Sequence, residues 1–246
     1  MKHPLRTLLL AVCCGLAAAC TQRQERLKLM SYNIRNGIGI DNIQDIGRIA
    51  RVILREAPDL VALQELDSAT LRVDGRYIPG ELGRMTGMHA TFGRAIGFAG
   101  GSYGIGLLSR TEPLAVRSIP LPGREEARVL LMAEFPDYTV CITHLSLTPE
   151  DRLASLPIIR EATDTCRKPV LLAGDFNTGN AAAVLAGLGG GFRILSDTTR
   201  MTFPSDNPAV RIDYILGRGL PTSATVAESA VDHTATASDH CPLWVT

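Results

Sequence analysis

The strongest constraint on the fold is the number of strand-like segments that follow one another with few helices between them. Each alternates apolar and polar residues or forms a short apolar run. We predict strands over 27–34, 59–65, 89–96, 104–109, 114–119, 128–135, 138–144, 170–173, 210–216, 222–228 and 243–245. One parallel sheet would need a helix between most of these strands. The pattern therefore predicts an α/β fold of the α+β kind, with sheet packed on sheet and helices outside.

Apolar residues at helical spacing occur in only a few segments. The first is 42–56, with Asn42 as a plausible N-cap and Pro58 just beyond its end. The second, 150–166, contains a proline and is expected to kink or to start late. The third is 180–188, which a run of glycines ends. Because no internal repeat or linker is apparent, we predict one domain over 27–246.

The N-terminus has the pattern of an export signal. Lys2 and Arg6 precede an apolar run over 8–19 that ends in small residues. The run is too short to span a bilayer, so it predicts a signal peptide over 1–19. A buried N-terminal helix is the alternative. No later segment is apolar for long enough to be a transmembrane helix.

Cys20 directly follows the predicted cleavage site. The stretch 16–20 resembles a bacterial lipobox, although its leucine stands one position further from the cysteine than usual. Two interpretations stay open: a lipid on Cys20 that anchors the protein to a membrane through a tether over 20–26, or simple secretion after the same cut. Either one places the protein outside the cytoplasm, in the periplasm or at the cell surface.

Charge and cysteine usage exclude several classes of protein. The whole chain has 25 basic and 25 acidic residues, and loss of 1–19 removes Lys2 and Arg6, so that 23 basic residues face 25 acidic ones. This slight acidity disfavours broad electrostatic binding of DNA. Cys141, Cys166 and Cys241 remain, an odd number that excludes a full disulfide framework but leaves one bond plus a free thiol open. Their spacing predicts no zinc site.

Polar residues stand where several predicted strands end. Such residues usually cap turns, but their repetition at the ends of strands is how a site is commonly built at one rim of a β core. The groups concerned are Asn33, Gln64-Glu65, Thr143-His144, Gly174-Asp175-Phe176-Asn177, Arg211-Ile212-Asp213-Tyr214 and Ser238-Asp239-His240.

These motifs, together with Ser102-Tyr103-Gly104, resemble in order those of the endonuclease/exonuclease/phosphatase superfamily. The superfamily includes pancreatic deoxyribonuclease, apurinic-site endonucleases, neutral sphingomyelinases and inositol-polyphosphate phosphatases. The resemblance covers the chain from about residue 27 to its end. It implies a four-layer α/β/β/α sandwich with two mixed β-sheets packed face to face.

The resemblance also implies a metal-dependent phosphoesterase. Asn33, Glu65 and Asp239 would hold the metal, most readily Mg²⁺, with Mn²⁺ or Ca²⁺ as alternatives; oxygen ligands suit all three ions. Asp175 would orient or deprotonate the attacking water, and Asn177 would hold the phosphate or the water.

The remaining motif residues would act on protons and on phosphate oxygens. Asp213 would hydrogen-bond His240, fix its tautomer and raise its basicity. His144 and Tyr103 would donate to phosphate oxygens or to the leaving group. The Thr-His-Leu segment that contains His144 is similar to that of the deoxyribonuclease, sphingomyelinase and phosphatase types, and differs from that of the apurinic-site repair enzymes.

The expected substrate is a phosphodiester that is lipid-linked or a small molecule, and the protein is expected to be a monomer. An extracytoplasmic Mg²⁺-dependent nuclease is the alternative within the same class. A catalytically silent binding lipoprotein is the alternative from another class. Arg72 could contact substrate phosphate or be a solvated loop residue, and the pair Asp232-His233 is interpreted as loop surface.

Overall fold

The computed structural model describes residues 26–246, so the predicted signal peptide over 1–19 and Cys20 lie outside the described residues. Two mixed sheets of six strands form the centre of the molecule. The first has the spatial order β11 (Ser229–Val231), β12 (Leu243–Val245), β1 (Leu29–Asn33), β2 (Leu60–Ser68), β4 (Gly101–Ser109) and β3 (His89–Phe98). The second has the order β5 (Ala115–Leu121), β6 (Arg128–Glu134), β7 (Thr139–His144), β8 (Val170–Asp175), β10 (Asp213–Arg218) and β9 (Arg193–Ile194).

Helices cover the outer face of each sheet. The first sheet is covered by α1 (Ile46–Glu56) and α2 (Ile78–Thr86), and the second by α3 (Pro149–Asp164) and α4 (Ala181–Leu188). A separate apolar cluster fills the space between the sheets, with side chains such as Leu107 from the first and Leu131 from the second. These layers confirm the expected α/β/β/α sandwich. None of the described helices is long and apolar enough to cross a membrane.

The start of α1 differs from the prediction. Its N-cap is Asp45, whose Oδ1 accepts a hydrogen bond from the Gly47 amide at 2.7 Å. Asn42 lies in the preceding turn with a φ of 59°, a conformation that asparagine adopts more readily than most residues. Helix α2 was not predicted, because its nine residues include a proline and two glycines and give only a short apolar stripe.

The predicted strand over 222–228 is wrong. Only its last two residues bond to the sheet, through the amides of Ala227 and Glu228 and the carbonyl of Thr246. Strand β11 begins at Ser229, which pairs with Val245. Strand β12 ends at Val245, so in the described structure the residues before Ala227 have no neighbouring strand with which to pair. Residues 222–228 have the alternating pattern of a strand, but most of them have no strand beside them in the described structure.

The ends of the parallel strands bring polar side chains to one edge of both sheets. Asn33, the last residue of β1, pairs with Gln64 within β2, and His144 pairs with Asp175 at the carboxyl ends of β7 and β8. Asp213, the first residue of antiparallel β10, also pairs with Asp175. The carboxyl ends of parallel strands are where open α/β folds commonly place their sites.

The cysteines within residues 26–246 carry no disulfide. Cys141, Cys166 and Cys241 are all free, and Cys141 and Cys241 are buried. Burial raises the pKa of the Cys241 thiol to about 12 and that of Cys141 further. The buried thiols therefore behave as small apolar side chains, as their apolar surroundings in the sequence predict.

Candidate active site

Glu65 is aimed by an irregularity in β2. The pairing of β2 with β4 shifts register between Leu63 and Leu66, and Glu65 has a φ of 57°. A bulge of this kind redirects a side chain and is frequent beside active sites. Positive φ in a non-glycine residue also costs free energy, which the surrounding sheet must supply. The strained position turns the Glu65 carboxylate towards Asn33, whose Nδ2 donates to Oε1 at 3.0 Å.

Asn33 is the point at which two carboxylates and an imidazole converge. Besides Glu65, its Nδ2 lies 3.1 Å from Oδ2 of Asp175 and 3.4 Å from Nε2 of His240. The Glu65 and Asp175 carboxylates therefore meet at one amide group. A cation would neutralise the charge of these carboxylates, and the oxygen donors are those that hard divalent ions prefer. The residues therefore fit a divalent metal.

Asp239, the third predicted metal ligand, is held beside this centre. Its Oδ2 lies 3.5 Å from Nε of Arg35, and its Oδ1 accepts from Ser238 Oγ at 3.4 Å. Ser238 Oγ also donates to the Asn33 carbonyl at 2.7 Å, which ties the loop to the end of β1. Asn33, Glu65 and Asp239 would hold the ion, which would supply positive charge to phosphate oxygens when bound; their role as ligands stays a prediction.

His240 and Asp213 form a buried pair. Oδ2 of Asp213 lies 3.0 Å from Nδ1 of His240 and also accepts from Thr202 Oγ1 at 2.6 Å. Burial lowers the pKa of His240, but the charge and hydrogen bond of Asp213 outweigh it and raise that pKa to about 10. Because the carboxylate occupies Nδ1, the other ring nitrogen, Nε2, faces the site. The ring of Phe203 packs against the imidazole, with a centroid distance of 4.7 Å.

Asp175 stands between the two histidines. Its Oδ2 lies 3.6 Å from Nε2 of His144 and 3.7 Å from Nε2 of His240. Its Oδ1 accepts from the Asn177 amide at 2.8 Å. Burial and the nearby charge of Asp213 raise the pKa of Asp175 to about 7. A carboxyl group whose pKa lies near neutrality, next to two imidazoles, can exchange a proton with a bound water.

His144 has a different partner from His240. Its Nδ1 lies 3.2 Å from Nη1 of Arg128, and its Nε2 faces Asp175. Burial lowers the pKa of His144 well below its usual value, and the charges of Arg128 and His240 lower it further. His144 is therefore neutral at pH 7, whereas His240 carries a proton readily. Two imidazoles with opposed pKa shifts in one site are typical of divided acid–base roles.

Two of the predicted catalytic residues lie at the margin of this cluster. The Asn177 side chain donates to the Leu145 carbonyl at 2.8 Å, so its Nδ2 is already committed. Tyr103 is buried in β4 and lines a small cavity with Arg128 and His144. Among the described residues, its hydroxyl makes no hydrogen bond to Asp175 or to either histidine. Burial raises the pKa of this phenol well above its usual value, so it is available only as a neutral donor.

Arg72 is not a solvated loop residue, and its contact with substrate phosphate stays a prediction. Its guanidinium donates to both carboxylate oxygens of the fully buried Asp67, and to Asn36 Oδ1 at 2.8 Å. It also stacks 4.6 Å from the ring centroid of Phe98 and 5.2 Å from that of Tyr103. Arg72 therefore ties its own segment to strands of the first sheet. His233 lies on the surface, where its Nε2 meets the Met201 carbonyl, in agreement with the loop interpretation.

Two residues that shape the site were not found from the sequence. Thr202 bonds to Asp213 from a loop, and a lone threonine in a loop gives no signal. Arg128 does have a signal in the sequence, because four of the five residues over 124–128 are charged and stand at the start of a buried strand. The ligand atoms of Asp175, Asp213 and His240 also lie within 4.8 Å of one another. Asp213 Oδ2 is already bonded to Thr202 and His240, whereas its buried Oδ1 has no hydrogen-bond partner among the described residues.

Comparisons with known proteins agree with this geometry. Residues 30–240 match the model of the Endonuclease/Exonuclease/phosphatase family. No curated protein matches the chain. An endonuclease/exonuclease/phosphatase from Beutenbergia cavernae is 23% identical, with a TM-score of 0.70 over 89% of this chain and 70% of its own. A mannosyl-6-phosphatase from Bacteroides thetaiotaomicron is 18% identical, with a TM-score of 0.71 over 90% of this chain and 99% of its own.

A third similar structure is D. rerio TDP2 complexed with a single-strand DNA product, at 22% identity and a TM-score of 0.66, over 89% of this chain and 97% of its own. At such identities these structures establish the shared fold, and the family match covers most of the chain. The chain therefore belongs to the endonuclease/exonuclease/phosphatase family and is a metal-dependent hydrolase of phosphate esters.

Proposed function

We propose that this phosphoesterase hydrolyses phosphodiesters outside the cytoplasm, with Mg²⁺ as its preferred ion, and that its substrates are lipid-linked or small molecules. One observation carries the proposal: Asp175 Oδ2 lies 3.6 and 3.7 Å from the Nε2 atoms of His144 and His240. Hydrolysis of a phosphodiester requires a water to be brought to phosphorus while charge on the phosphate oxygens is neutralised. A carboxylate flanked by two imidazoles beside oxygen ligands meets both needs.

The residues divide this work by their environments. Asp175 orients the attacking water and draws its proton, which its raised pKa makes feasible near neutrality. His240, supported by Asp213, exchanges protons at Nε2. His144 is neutral and donates a hydrogen bond to a phosphate oxygen. Glu65 and Asn33 hold the ion that offsets the phosphate charge.

Exposed apolar side chains around the site favour an amphiphilic substrate. They follow or end strands at the edge of the sheets that carries the catalytic residues: Ile40, Ile43, Leu71, Phe98 and Leu147. Leu71 is the most exposed of them, at 76%. Large apolar side chains gathered around a site commonly mark a surface for lipid or another apolar partner. A lipid-linked phosphodiester would place its acyl part against them.

The arginines near the site argue against a nucleic acid as the main substrate. Arg35 faces Asp239, Arg72 is paired with Asp67, and Arg128 lies between two glutamates. A surface that grips a polyanion by its backbone needs uncompensated positive charge. Extracytoplasmic nuclease activity nevertheless stays the alternative, since the similar D. rerio TDP2 structure contains a DNA product.

A substrate panel tests the proposal. The purified protein is incubated with Mg²⁺ and with either phospholipid vesicles, bis(p-nitrophenyl) phosphate or plasmid DNA. We expect turnover of the first two, abolished by EDTA and by Asp175→Ala. Efficient DNA cutting with no turnover of lipid or small diesters would establish the nuclease alternative. If no phosphate ester is hydrolysed, a binding role would replace the catalytic one.

We propose further that a lipid on Cys20 attaches the protein to a membrane. Metabolic labelling with radioactive palmitate tests this, followed by fractionation of membranes. The wild-type protein should carry label and sediment with membranes, and Cys20→Ala should lose both properties. A wild-type protein that carries no label and is found in the soluble extracytoplasmic fraction would favour simple secretion.

A further inference from the structure

The two histidines of the site differ in what faces their Nδ1 atoms. Nδ1 of His240 meets a carboxylate oxygen of Asp213 at 3.0 Å, whereas Nδ1 of His144 meets the guanidinium of Arg128 at 3.2 Å. A carboxylate accepts hydrogen bonds, and a guanidinium only donates them. The contact with Asp213 therefore requires a protonated Nδ1 on His240, whereas the contact with Arg128 requires an unprotonated Nδ1 on His144.

The guanidinium decides the tautomer of His144. Arginine stays protonated in proteins and has no lone pair to offer, so Nδ1 of His144 must be the acceptor in this contact. In a neutral imidazole with an unprotonated Nδ1, the proton is on Nε2. That atom faces Asp175 Oδ2 at 3.6 Å, at the centre of the cluster. His144 thus presents an N–H group to the site.

We propose that Arg128 is a positioning residue that holds His144 as the neutral Nε2–H tautomer, so that His144 acts as a fixed hydrogen-bond donor to the substrate phosphate and keeps its proton throughout turnover. The catalytic part of this inference rests on the proposed function. The tautomer does not, and it can be measured separately.

The surroundings of Arg128 are built to hold it there. Its side chain is only 6% exposed, and its guanidinium lies 3.0 Å from Glu126 Oε1 and 3.3 Å from Glu125 Oε1. The two carboxylates compensate the buried charge, so that Arg128 can face an uncharged ring. Strand pairing of β6 with β7, with Leu130 opposite Thr143, brings Arg128 beside His144.

Glu125 also fixes the backbone that follows His144. It accepts hydrogen bonds from Ser146 Oγ, the Leu147 amide at 2.7 Å and Thr148 Oγ1 at 3.1 Å. Arg128 and Glu125 therefore hold His144 in two ways, at its ring and through the loop that follows it. The charged residues at the start of β6 belong neither to the metal site nor to the Asp213–His240 pair. Their contacts with His144 and with the loop after it give them a role.

Nuclear magnetic resonance of ¹⁵N-histidine-labelled protein tests the tautomer directly, with His144 assigned by the loss of its signals in His144→Gln. At pH 7 we expect an unprotonated, pyridine-type Nδ1 and a protonated Nε2. In Arg128→Met the Nδ1 nitrogen should shift towards the protonated type, and Arg128→Lys, which keeps a cationic donor, should restore the original pattern. A protonated Nδ1 in the wild-type protein would overturn the proposal.

Kinetics with bis(p-nitrophenyl) phosphate and Mg²⁺ test the catalytic part. We expect Arg128→Met to lose roughly 10²-fold or more in kcat, as wrong tautomers do in other hydrolases, with KM little changed. Arg124→Met is the matched control, because Arg124 pairs with Asp151 and is exposed; its kcat should stay near wild type. A rise in KM with an unchanged tautomer would overturn the proposal and make Arg128 a phosphate ligand. Absence of turnover in the wild-type protein would instead overturn the proposed function.

Discussion

Oδ2 of Asp213 lies 3.0 Å from Nδ1 of His240, and both side chains are buried at the meeting point of the two sheets. The contact links the start of β10 in the second sheet to the loop before β12 in the first. The Thr202 hydroxyl completes it at 2.6 Å from the same oxygen. This arrangement fixes the ring so that Nε2 faces Asp175, and the first prediction concerns it.

Replacement of Asp213 by asparagine should lower activity without unfolding the protein. The carboxamide keeps the size of the side chain but removes the charge that supports an imidazolium on His240. We expect kcat to fall by roughly 10²- to 10⁴-fold. Turnover of bis(p-nitrophenyl) phosphate measures this, and an unchanged kcat would show that the pair has no part in catalysis.

The same variant should change how stability depends on pH in metal-free protein. The folded pKa of His240 is raised to about 10 from an unfolded value of 6.5, so the stabilisation is fully present below about pH 6.5. It is lost as the pH rises through about 10. In urea unfolding, the difference in the free energy of unfolding between wild type and Asp213→Asn should therefore become smaller between these two pH values. A difference that grows with pH would contradict the assignment.

Removal of the Glu65 carboxylate should weaken metal binding. Glu65→Gln keeps the shape of the side chain but supplies a neutral oxygen in place of a charged one. We expect the Mg²⁺ concentration for half-maximal activity to rise by roughly 10- to 100-fold or more, the range seen even for indirect metal contacts. Glu81→Gln is the control: Glu81 lies on α2 and pairs with Arg76, so its loss should leave the requirement unchanged. An equal requirement in both variants would mean that Glu65 is not a ligand.

Loss of the Arg72 guanidinium should destabilise the fold. Arg72→Met leaves the carboxylate of Asp67, which is 0% exposed, without its ionic partner. Breaking a buried pair from one side costs about 3 kcal/mol or more. Urea unfolding measures this, with Arg84→Met on α2 as the control. If stability stays within about 1 kcal/mol and only KM rises, Arg72 is a substrate ligand after all.

Glu125 should contribute stability that acid removes. Burial raises the pKa of Glu125, but hydrogen bonds from Ser146, Leu147 and Thr148 outweigh it and lower that pKa to about 2. The contribution is present above the unfolded pKa of 4.5 and is lost as the pH falls through about 2. Glu125→Gln should therefore cost about 1 kcal/mol at pH 7, a value reduced by solvent screening of the partly exposed side chain. The cost should shrink towards pH 2; an equal cost at both pH values would exclude an ionic origin.

Much of the fold follows from apolar pattern alone. Long buried strands such as β7 and β8 and amphipathic α1 are local signals, and their predicted limits lie within a few residues of those observed. The apolar pattern fails to predict secondary structure where a neighbouring segment determines whether a strand forms. Residues 222–228 alternate well, but in the described structure β12 pairs only with the residues that follow them. Helix α2 is too short for its own periodicity to stand out.

The site residues that stand at the ends of strands could be predicted from the sequence. Those placed by contacts between separate segments could not. His144 and Asp175 end neighbouring strands, and the register of the second sheet brings them together. Asn33 ends β1 in the first sheet and reaches Asp175 when the two sheets pack. The bulge that turns Glu65, the hydroxyl of Thr202 and the contact of Arg128 with His144 all depend on contacts between separate segments, which no local pattern encodes.

The rate of phosphodiester hydrolysis in wild type, Asp175→Ala and His240→Ala tests the central claim most directly. The cluster around Asp175 should give the wild-type protein Mg²⁺-dependent turnover of bis(p-nitrophenyl) phosphate that EDTA abolishes. Each variant should lose roughly 10²- to 10⁴-fold in kcat while its unfolding midpoint shows that it remains folded. Wild-type hydrolysis that persists undiminished in both variants would contradict the account, because it would place the chemistry elsewhere on the molecule.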